Sequence, residues 1–154
     1  MTVKMILKST CLMYAAMWVA GCASTNGSGS VQMNQQAQSA CLAATGRGEL
    51  VMLDVPAGSS AISNQLAAAS LRVGGGSSSV DALVDLLQKP LRGAVLLVGR
   101  SQALTAATAE VTLRQLAKSG KKAAAPLCVA VSGQAGADLA TVAQGAGVRL
   151  SLVP

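Results

Sequence analysis

The sequence contains no histidine and no phenylalanine, and only one tryptophan and one tyrosine among its 154 residues. Without histidine, the commonest general base and the commonest metal-binding side chain are both missing. With so few aromatic rings, the chain also lacks the stacking surfaces on which nucleic-acid bases are held. These absences argue against histidine-dependent catalysis, a metal site with histidine ligands and nucleic-acid binding.

Charge and long apolar runs are scarce as well. Charged residues make up 12% of the chain and hydrophobic residues 51%, which excludes a disordered polyelectrolyte. No run of about 18 apolar residues occurs, so a polytopic membrane protein is also excluded. The formal net charge of +6 is spread along the chain, apart from Lys118, Lys121 and Lys122. Such a distribution indicates a solvated surface, with binding of an anionic lipid or polymer as the lesser alternative.

The first residues have the organisation of a secretory signal peptide. Lys4 and Lys8 precede an uncharged apolar stretch over residues 10–20, which ends in small residues. As a helix, that stretch would span only ~17 Å of a bilayer core of ~30 Å. A membrane-spanning anchor is therefore the poorer interpretation.

The junction Val19-Ala20-Gly21-Cys22 resembles the lipobox of bacterial lipoproteins. In that family the cysteine thiol receives a diacylglyceryl group, the signal is cleaved before the cysteine, and the new amino group is acylated. The resemblance implies that residues 1–21 are removed and that Cys22 anchors the protein to the membrane through its lipid. Ala23 stands where the family uses Asp for retention at the inner membrane. The implied location is the outer membrane, with the domain facing the periplasm. The alternative is an ordinary secreted protein that is cleaved elsewhere.

The composition divides the remaining chain into a tether and one domain. Residues 22–40 are uncharged and contain only Val31 and Met33 as bulky apolar side chains. Such a segment cannot bury enough surface to offset the entropy of ordering, so a flexible tether is predicted. Residues 41–154 alternate between strand-like and helix-like segments and are predicted to form a single periplasmic domain.

The first half of this domain is predicted to contain one strand and two helices. The strand covers residues 50–55, and the first helix covers residues 61–73. The prediction rests on four apolar residues that fall at helical spacing: Ile62, Leu66, Ala69 and Val73. Ser79 is predicted to cap the second helix, which ends at Pro90.

The C-terminal half alternates regularly between the two kinds of element. Short apolar runs at 94–98, 127–131 and 148–153 predict strands, the last of them at an edge of the sheet. Helices are predicted between them, from about residue 102 to 118 and after residue 132. This βαβαβ order predicts an α/β fold: a small parallel sheet of about four strands, with helices packed on it. A mixed sheet is the alternative.

Ligands of open parallel sheets bind in the loops at the carboxyl ends of the strands. Four residues of these loops are candidates for binding an anion: Arg100, Ser101, Ser132 and Gln134. The alternative is that Ser101 only caps its helix and that the nearby glycines form tight turns. Neither loop has the glycine pattern of a dinucleotide or phosphate-binding loop, so we expect no nucleotide and no cofactor.

Catalysis and metal binding have little support in the sequence. A serine nucleophile needs a base, and no lysine lies beside Ser101 or Ser132 in the sequence. The carboxylates are scattered, and only Asp54 lies at the end of a predicted strand. We therefore expect a protein that is not an enzyme and has no metal site.

Of the four cysteines, Cys11 would be removed with the signal peptide and Cys22 would carry the lipid. Cys41 and Cys128 would then be the two cysteines left in an oxidising compartment, where they could form a disulfide. A disulfide between them would pin the start of the domain to its sheet. Two free thiols are the alternative, because a bond requires the two Cα atoms to lie within about 7 Å of each other.

Together these features lead to one hypothesis for the function. The protein is expected to be a non-catalytic, outer-membrane-anchored lipoprotein that serves as a structural or accessory subunit of a cell-envelope assembly. Machines for secretion, conjugation, pilus formation or export use small lipoproteins of this build, which is an analogy at the level of architecture. The partners would be other envelope proteins or further copies of the chain. The alternative is a periplasmic binding module for a small anion or a glycan, at the loops of Arg100 and Ser132.

Overall fold

The computed structural model describes the backbone of residues 28–154 and the side chains of residues 33–154. The elements, in chain order, are α1 (Ser28–Thr45), β1 (Leu50–Val55), α2 (Ala61–Arg72), α3 (Ser78–Gln88), β2 (Ala94–Gly99), α4 (Gln102–Ser119), β3 (Leu127–Ala130), α5 (Gln134–Gly145) and β4 (Leu150–Val153). The predicted signal peptide and the lipobox lie outside the described residues. From residue 28 onwards, no helix is both long enough and apolar enough to cross a bilayer.

The four strands form one sheet in the order β1-β2-β3-β4, and every neighbouring pair is parallel. The predicted α/β fold with about four parallel strands is therefore confirmed, and the mixed sheet is excluded. Each new strand is added on the same side of the previous one. Right-handed crossovers between strands added in this way all pass over the same face of the sheet.

That face carries the main hydrophobic core. Side chains of α2, α3, α4 and α5 pack there against alternate residues of the strands, among them Val95, Leu97, Leu127 and Val129. Helix α4 lies at the centre of this layer, and both Leu113 and Leu116 on it are fully buried. Because the core contains no aromatic ring, the bulk comes from leucine and valine, and alanines let α4 lie close to its neighbours.

Helix α1 covers the opposite face of the sheet, so the fold has three layers. Ala37 and Cys41, one helical turn apart, are 1% and 0% exposed and face the other alternate residues of the strands, such as Leu96 and Val98. Cys41 is bonded to Cys128 of β3, with the two Cα atoms 5.8 Å apart. Of the two outcomes expected for this cysteine pair, the structure contains the disulfide.

The prediction of a flexible tether over residues 22–40 is wrong for residues 28–40, which belong to α1. Among the side chains described on this helix, those that pack in the core against the sheet are alanines and Cys41, and a covalent bond adds to them. An estimate from hydrophobic content misses this kind of attachment, because small side chains contribute little apolar area but allow a helix to lie close to a sheet. The folded domain thus begins before residue 41.

The helix predicted over residues 61–73 is present as α2, but the apolar residues that indicated it lie on its exposed side. Ile62, Leu66 and Val73 are 70%, 67% and 88% exposed, whereas Ala68 and Leu71 are buried. Periodicity shows that a helix is present, but the shape of the neighbouring α4 decides which apolar side chains are covered. Arg72 lies at the C-terminal end of α2 and forms an ion pair with Glu110 of α4.

The cap predicted for α3 is displaced by two residues. The Oγ of Ser77 accepts a hydrogen bond from the backbone N–H of Ser79, so Ser77 is the N-cap and Ser79 lies inside the helix. Several serines in succession offer the same capping chemistry, and their order along the chain does not decide between them.

Candidate functional site

The carboxyl ends of the strands meet at one edge of the sheet, where β2 ends at Gly99 and β3 at Ala130. A cavity of about 250 Å³ opens there, between the sheet and α1. Its apolar wall consists of Met33, Ala37, Val98, Ala130 and Val131. Its polar groups come from Asn34, Arg100, Gln102 and Ser132. The location is the one in which open parallel sheets hold their ligands.

A smaller cavity of about 100 Å³ continues this one towards β1. It shares Met33, Asn34, Gly99 and Arg100 with the first cavity and extends to Asp54. Asp54 is therefore next to the site, as its position at the end of β1 indicated. The two cavities form a groove with an apolar part near β3 and a part near β1 that contains both a cation and a carboxylate.

The structure brings two of the four predicted loop residues to this groove. Arg100 is exposed, and within the described residues its guanidinium has neither an ion-pair partner nor a hydrogen-bond partner. Ser132 lies on the same cavity, and its hydroxyl donates a hydrogen bond to Oε1 of Gln102 at 3.2 Å. The polar groups of the β2 and β3 loops therefore converge, although the chain separates them by about 30 residues.

The other two predicted residues have local structural roles. The Oγ of Ser101 accepts a hydrogen bond from the backbone N–H of Leu104 at 3.3 Å and caps α4. The side-chain amide of Gln134 donates to Asp138 at 3.3 Å, one turn further along α5. Neither residue lines the cavity. The helix cap that was the alternative expectation for Ser101 is present.

Three residues of the groove were missed because they lie on α1, namely Met33, Asn34 and Ala37. Met33 and Asn34 form its outer side, and only a helix at that position can place them there. The sequence does not indicate a helix at this position, since residues 28–40 are polar enough to resemble a linker. Gln102 stands at the predicted start of the helix after β2, and its contact with Ser132 depends on how the two loops approach each other.

Two glycines shape the backbone around the groove. Gly133 precedes α5 with φ 68° and ψ −148°, a conformation that side chains disfavour, and α5 has no side-chain cap. At Gly99, a Cβ atom would lie 2.5 Å from Oγ1 of Thr105 on α4 and 3.0 Å from the carbonyl oxygen of Val55. The absence of a side chain at residue 99 lets β1, β2 and α4 meet directly beneath the groove.

The groups in the groove are suited to binding an anionic ligand. Arg100 can attract an anion, the amides and the hydroxyl can orient it, and the apolar wall can cover a hydrocarbon part of a ligand. The Ser132 hydroxyl faces an amide, which cannot act as its base. In the part of the chain that the structure describes, no three Cys, Asp or Glu side chains are grouped to hold a metal ion.

A second cavity, of about 320 Å³, lies between the C-terminal end of α2, the following glycine loop and α4. Arg72 and Arg114 line it, but both form ion pairs at 2.7 Å with Glu110, whose side chain is only 14% exposed. Lys118 and Asp81 line this cavity as well. Its two arginines share the single carboxylate of Glu110, whereas the guanidinium of Arg100 has no ion-pair partner within the described residues.

Comparison with known proteins adds no relative to this description: no protein-family model, no curated protein and no solved structure shows significant similarity to the chain.

Proposed function

We propose that the protein is a non-catalytic lipoprotein of the bacterial outer membrane, anchored through Cys22 with its domain in the periplasm. In this proposal it serves as a structural or accessory subunit of a cell-envelope assembly. The observation that carries the proposal is the disulfide between Cys41 and Cys128. Disulfides form and persist in oxidising compartments such as the periplasm, which supports export and hence the signal-peptide interpretation.

The role as a subunit is supported by the surface of the domain. Large apolar side chains on the outer side of α2 have no partner within the described domain and are more than half exposed. Contiguous apolar surface of this kind is typical of sites that bind another macromolecule. Attachment to a membrane by lipid and contact with proteins through a rigid helix face together suit an accessory subunit.

The proposal is tested by Cys22→Ser, with Cys11→Ser as the matched control in the apolar part of the signal. We expect Cys22→Ser to abolish incorporation of labelled palmitate and to release the protein from membranes, because the only acceptor at the lipobox is lost. Cys11→Ser should leave both properties unchanged. If the Cys22→Ser protein still fractionates with the outer membrane after a carbonate wash, the anchoring proposal is wrong. If the lipidated protein has no partner in cross-linked envelopes, the subunit role is wrong.

A second candidate function is a binding module for a small anion or a glycan, and the groove at Arg100 favours it. The guanidinium, which has no ion-pair partner among the described residues, the neighbouring amide groups and the apolar wall match the usual composition of a small-ligand site.

This second candidate predicts that sulfate, phosphate or a sugar phosphate raises the melting temperature by several degrees, because a ligand that binds only the folded state stabilises it. Arg100→Ala should abolish this increase. Arg149→Ala, which removes the same charge next to the opposite end of a strand, should retain it. Equal losses in both variants would show that the anions act only through general charge screening, and would exclude the binding site.

A further inference from the structure

The outer side of α2 carries a continuous apolar face, formed by Ile62, Leu66, Ala69 and Val73 and called the α2 stripe below. Spacings of four, three and four residues place these side chains on one side of the helix. All four residues are exposed, with Val73 the most exposed at 88%. The buried side of the same helix, with Ala68 and Leu71, already packs within the domain. The α2 stripe is therefore a second contact face on a helix that is held in place.

The α2 stripe is not flanked by the positive charges that bind an anionic lipid surface. The only charged residue of α2 is Arg72, and its Nε donates to Glu110 of α4 at 2.7 Å. Its neighbours on the exposed side are uncharged, among them Ser63 and Gln65. Helices that lie on anionic membranes carry several lysines or arginines beside their apolar face. An uncharged apolar face is better suited to another protein surface of the same kind.

The spacing of the α2 stripe identifies such a surface, because it reads the same in both directions. When two copies of α2 are placed antiparallel about a two-fold axis, Ile62 lies opposite Val73 of the second copy. Leu66 then lies opposite Ala69 of the second copy, so that a large side chain faces a small one. Arg72 is the only charged residue of α2, and in this register it lies ~13.5 Å along the axis from its copy, so no like charges meet. The α2 stripe is thus complementary to itself, as the contact face of a two-fold dimer must be.

We infer that the protein forms a homodimer in which the α2 stripes of two copies pack antiparallel across a two-fold axis. The inference rests on the proposed subunit role and deepens it, because it names a second copy of the chain as the partner of the apolar side of α2. It concerns the domain alone and is tested whether or not Cys22 is lipidated. A contact between two helices of 12 residues is at the small end of protein interfaces. The dimer is therefore reversible and depends on protein concentration.

Cross-linking through introduced cysteines tests the antiparallel arrangement. The background is the full chain with Cys11→Ser and Cys22→Ser, in which Cys41 and Cys128 are bonded and buried. At ~1.5 Å per residue, two copies of residue 66 are offset by ~4.5 Å along the helix axis, and two copies of residue 62 by ~16 Å. A short thiol-specific cross-linker should therefore produce dimers of Leu66→Cys but not of Ile62→Cys. Mixing Ile62→Cys with Val73→Cys should restore the dimer.

Two results of this experiment would overturn the inference. One is the absence of a cross-linked Leu66→Cys dimer at protein concentrations where the background chain sediments faster than a monomer. The other is cross-linking of Ile62→Cys alone as efficiently as Leu66→Cys, which would mean random or parallel contact.

Sedimentation of the full chain gives an independent measurement. Leu66→Gln should weaken self-association about tenfold or more, because each of the two copies loses the burial of one leucine. Met52→Gln is the matched control, since Met52 is 45% exposed on the opposite face of the sheet. Both variants remove an exposed side chain and should keep the circular dichroism of the folded protein. A wild-type chain that stays monomeric at every concentration would overturn the inference. So would Leu66→Gln losing affinity for phosphatidylglycerol vesicles while self-association is unchanged, because the α2 stripe would then be a lipid contact.

Discussion

Replacing both Cys41 and Cys128 by alanine is expected to lower the free energy of unfolding by about 4.5 kcal/mol. The bond joins residues 87 positions apart, and closing a loop of that length removes much conformational freedom from the unfolded chain. Small domains are stable by only about 5–15 kcal/mol, so the loss is a large part of the total. A core without aromatic side chains buries less apolar surface per residue, so the other contacts of the domain offset little of the lost stability.

The loss should be concentrated first in α1. Within the described residues, this helix buries only small side chains such as Ala37 against the sheet, and the bond to Cys128 holds it there. Amide hydrogen exchange should therefore lose protection in α1 before β2 and β3, which pack on the opposite core as well. Opening of α1 would expose Leu96 and Val98 and dismantle one side of the groove at Arg100.

Urea unfolding and hydrogen exchange of the oxidised protein, the reduced protein and the Cys41→Ala/Cys128→Ala variant check this prediction. Adding a reductant to the double variant is the control and should change nothing. The prediction fails if the double substitution lowers the free energy of unfolding by under about 1 kcal/mol relative to the oxidised protein. It also fails if peptide mapping of the oxidised, denatured chain finds labelled thiols at both Cys41 and Cys128.

The sequence predicted the strands better than it predicted what covers them. Continuous apolar runs such as residues 94–98 can only be accommodated where both faces of a strand are buried, which makes them easy to recognise. Helix α1 has no such pattern, because its attachment depends on side chains as small as Ala37 and on the bond at Cys41. Counting cysteines identified the two bonded residues. It did not show that the segment before Cys41 is a helix.

The candidate site was predictable in its location and only partly in its members. The rule that ligands bind at the carboxyl ends of parallel strands led to Arg100 and Ser132, which do share a cavity. The rule does not say which loop residues cap a helix, as Ser101 does. Nor does it reveal contributions from the opposite layer, such as Asn34 on α1. Those depend on packing between segments distant in the sequence.

Gly99→Ala is expected to destabilise the protein by about 1–3 kcal/mol, the usual cost of forcing an extra methyl group into a packed site. The new Cβ would lie 2.5 Å from Oγ1 of Thr105, a distance that requires something to move. Thr105 is fully buried and β-branched, so it has few alternative rotamers in a helix. The new Cβ would also lie 3.0 Å from the carbonyl oxygen of Val55, so residue 99 cannot shift towards β1 to relieve the clash.

The clash can be identified by a double-mutant cycle, because the hydroxyl of Thr105 has no hydrogen-bond partner within the described residues. Thr105→Ala alone should cost about 1 kcal/mol for the lost burial of its methyl group. Combined with Gly99→Ala, it should recover about 1 kcal/mol or more of the loss, since the atom that meets the new methyl group is gone. The remaining loss would come from the contact with Val55.

Urea unfolding of the four chains in this cycle provides the measurement, with Gly48→Ala as the matched control. A Cβ atom at residue 48 has no neighbour within 4 Å, so that substitution should be nearly neutral. A cost of less than about 0.5 kcal/mol for Gly99→Ala would mean that Thr105 rotates away without strain, contrary to the packing described. Because Arg100 follows Gly99 directly, any shift of the β2 end in Gly99→Ala also displaces the guanidinium at the groove. Anion-induced stabilisation should therefore decrease in Gly99→Ala and recover together with stability in the double variant.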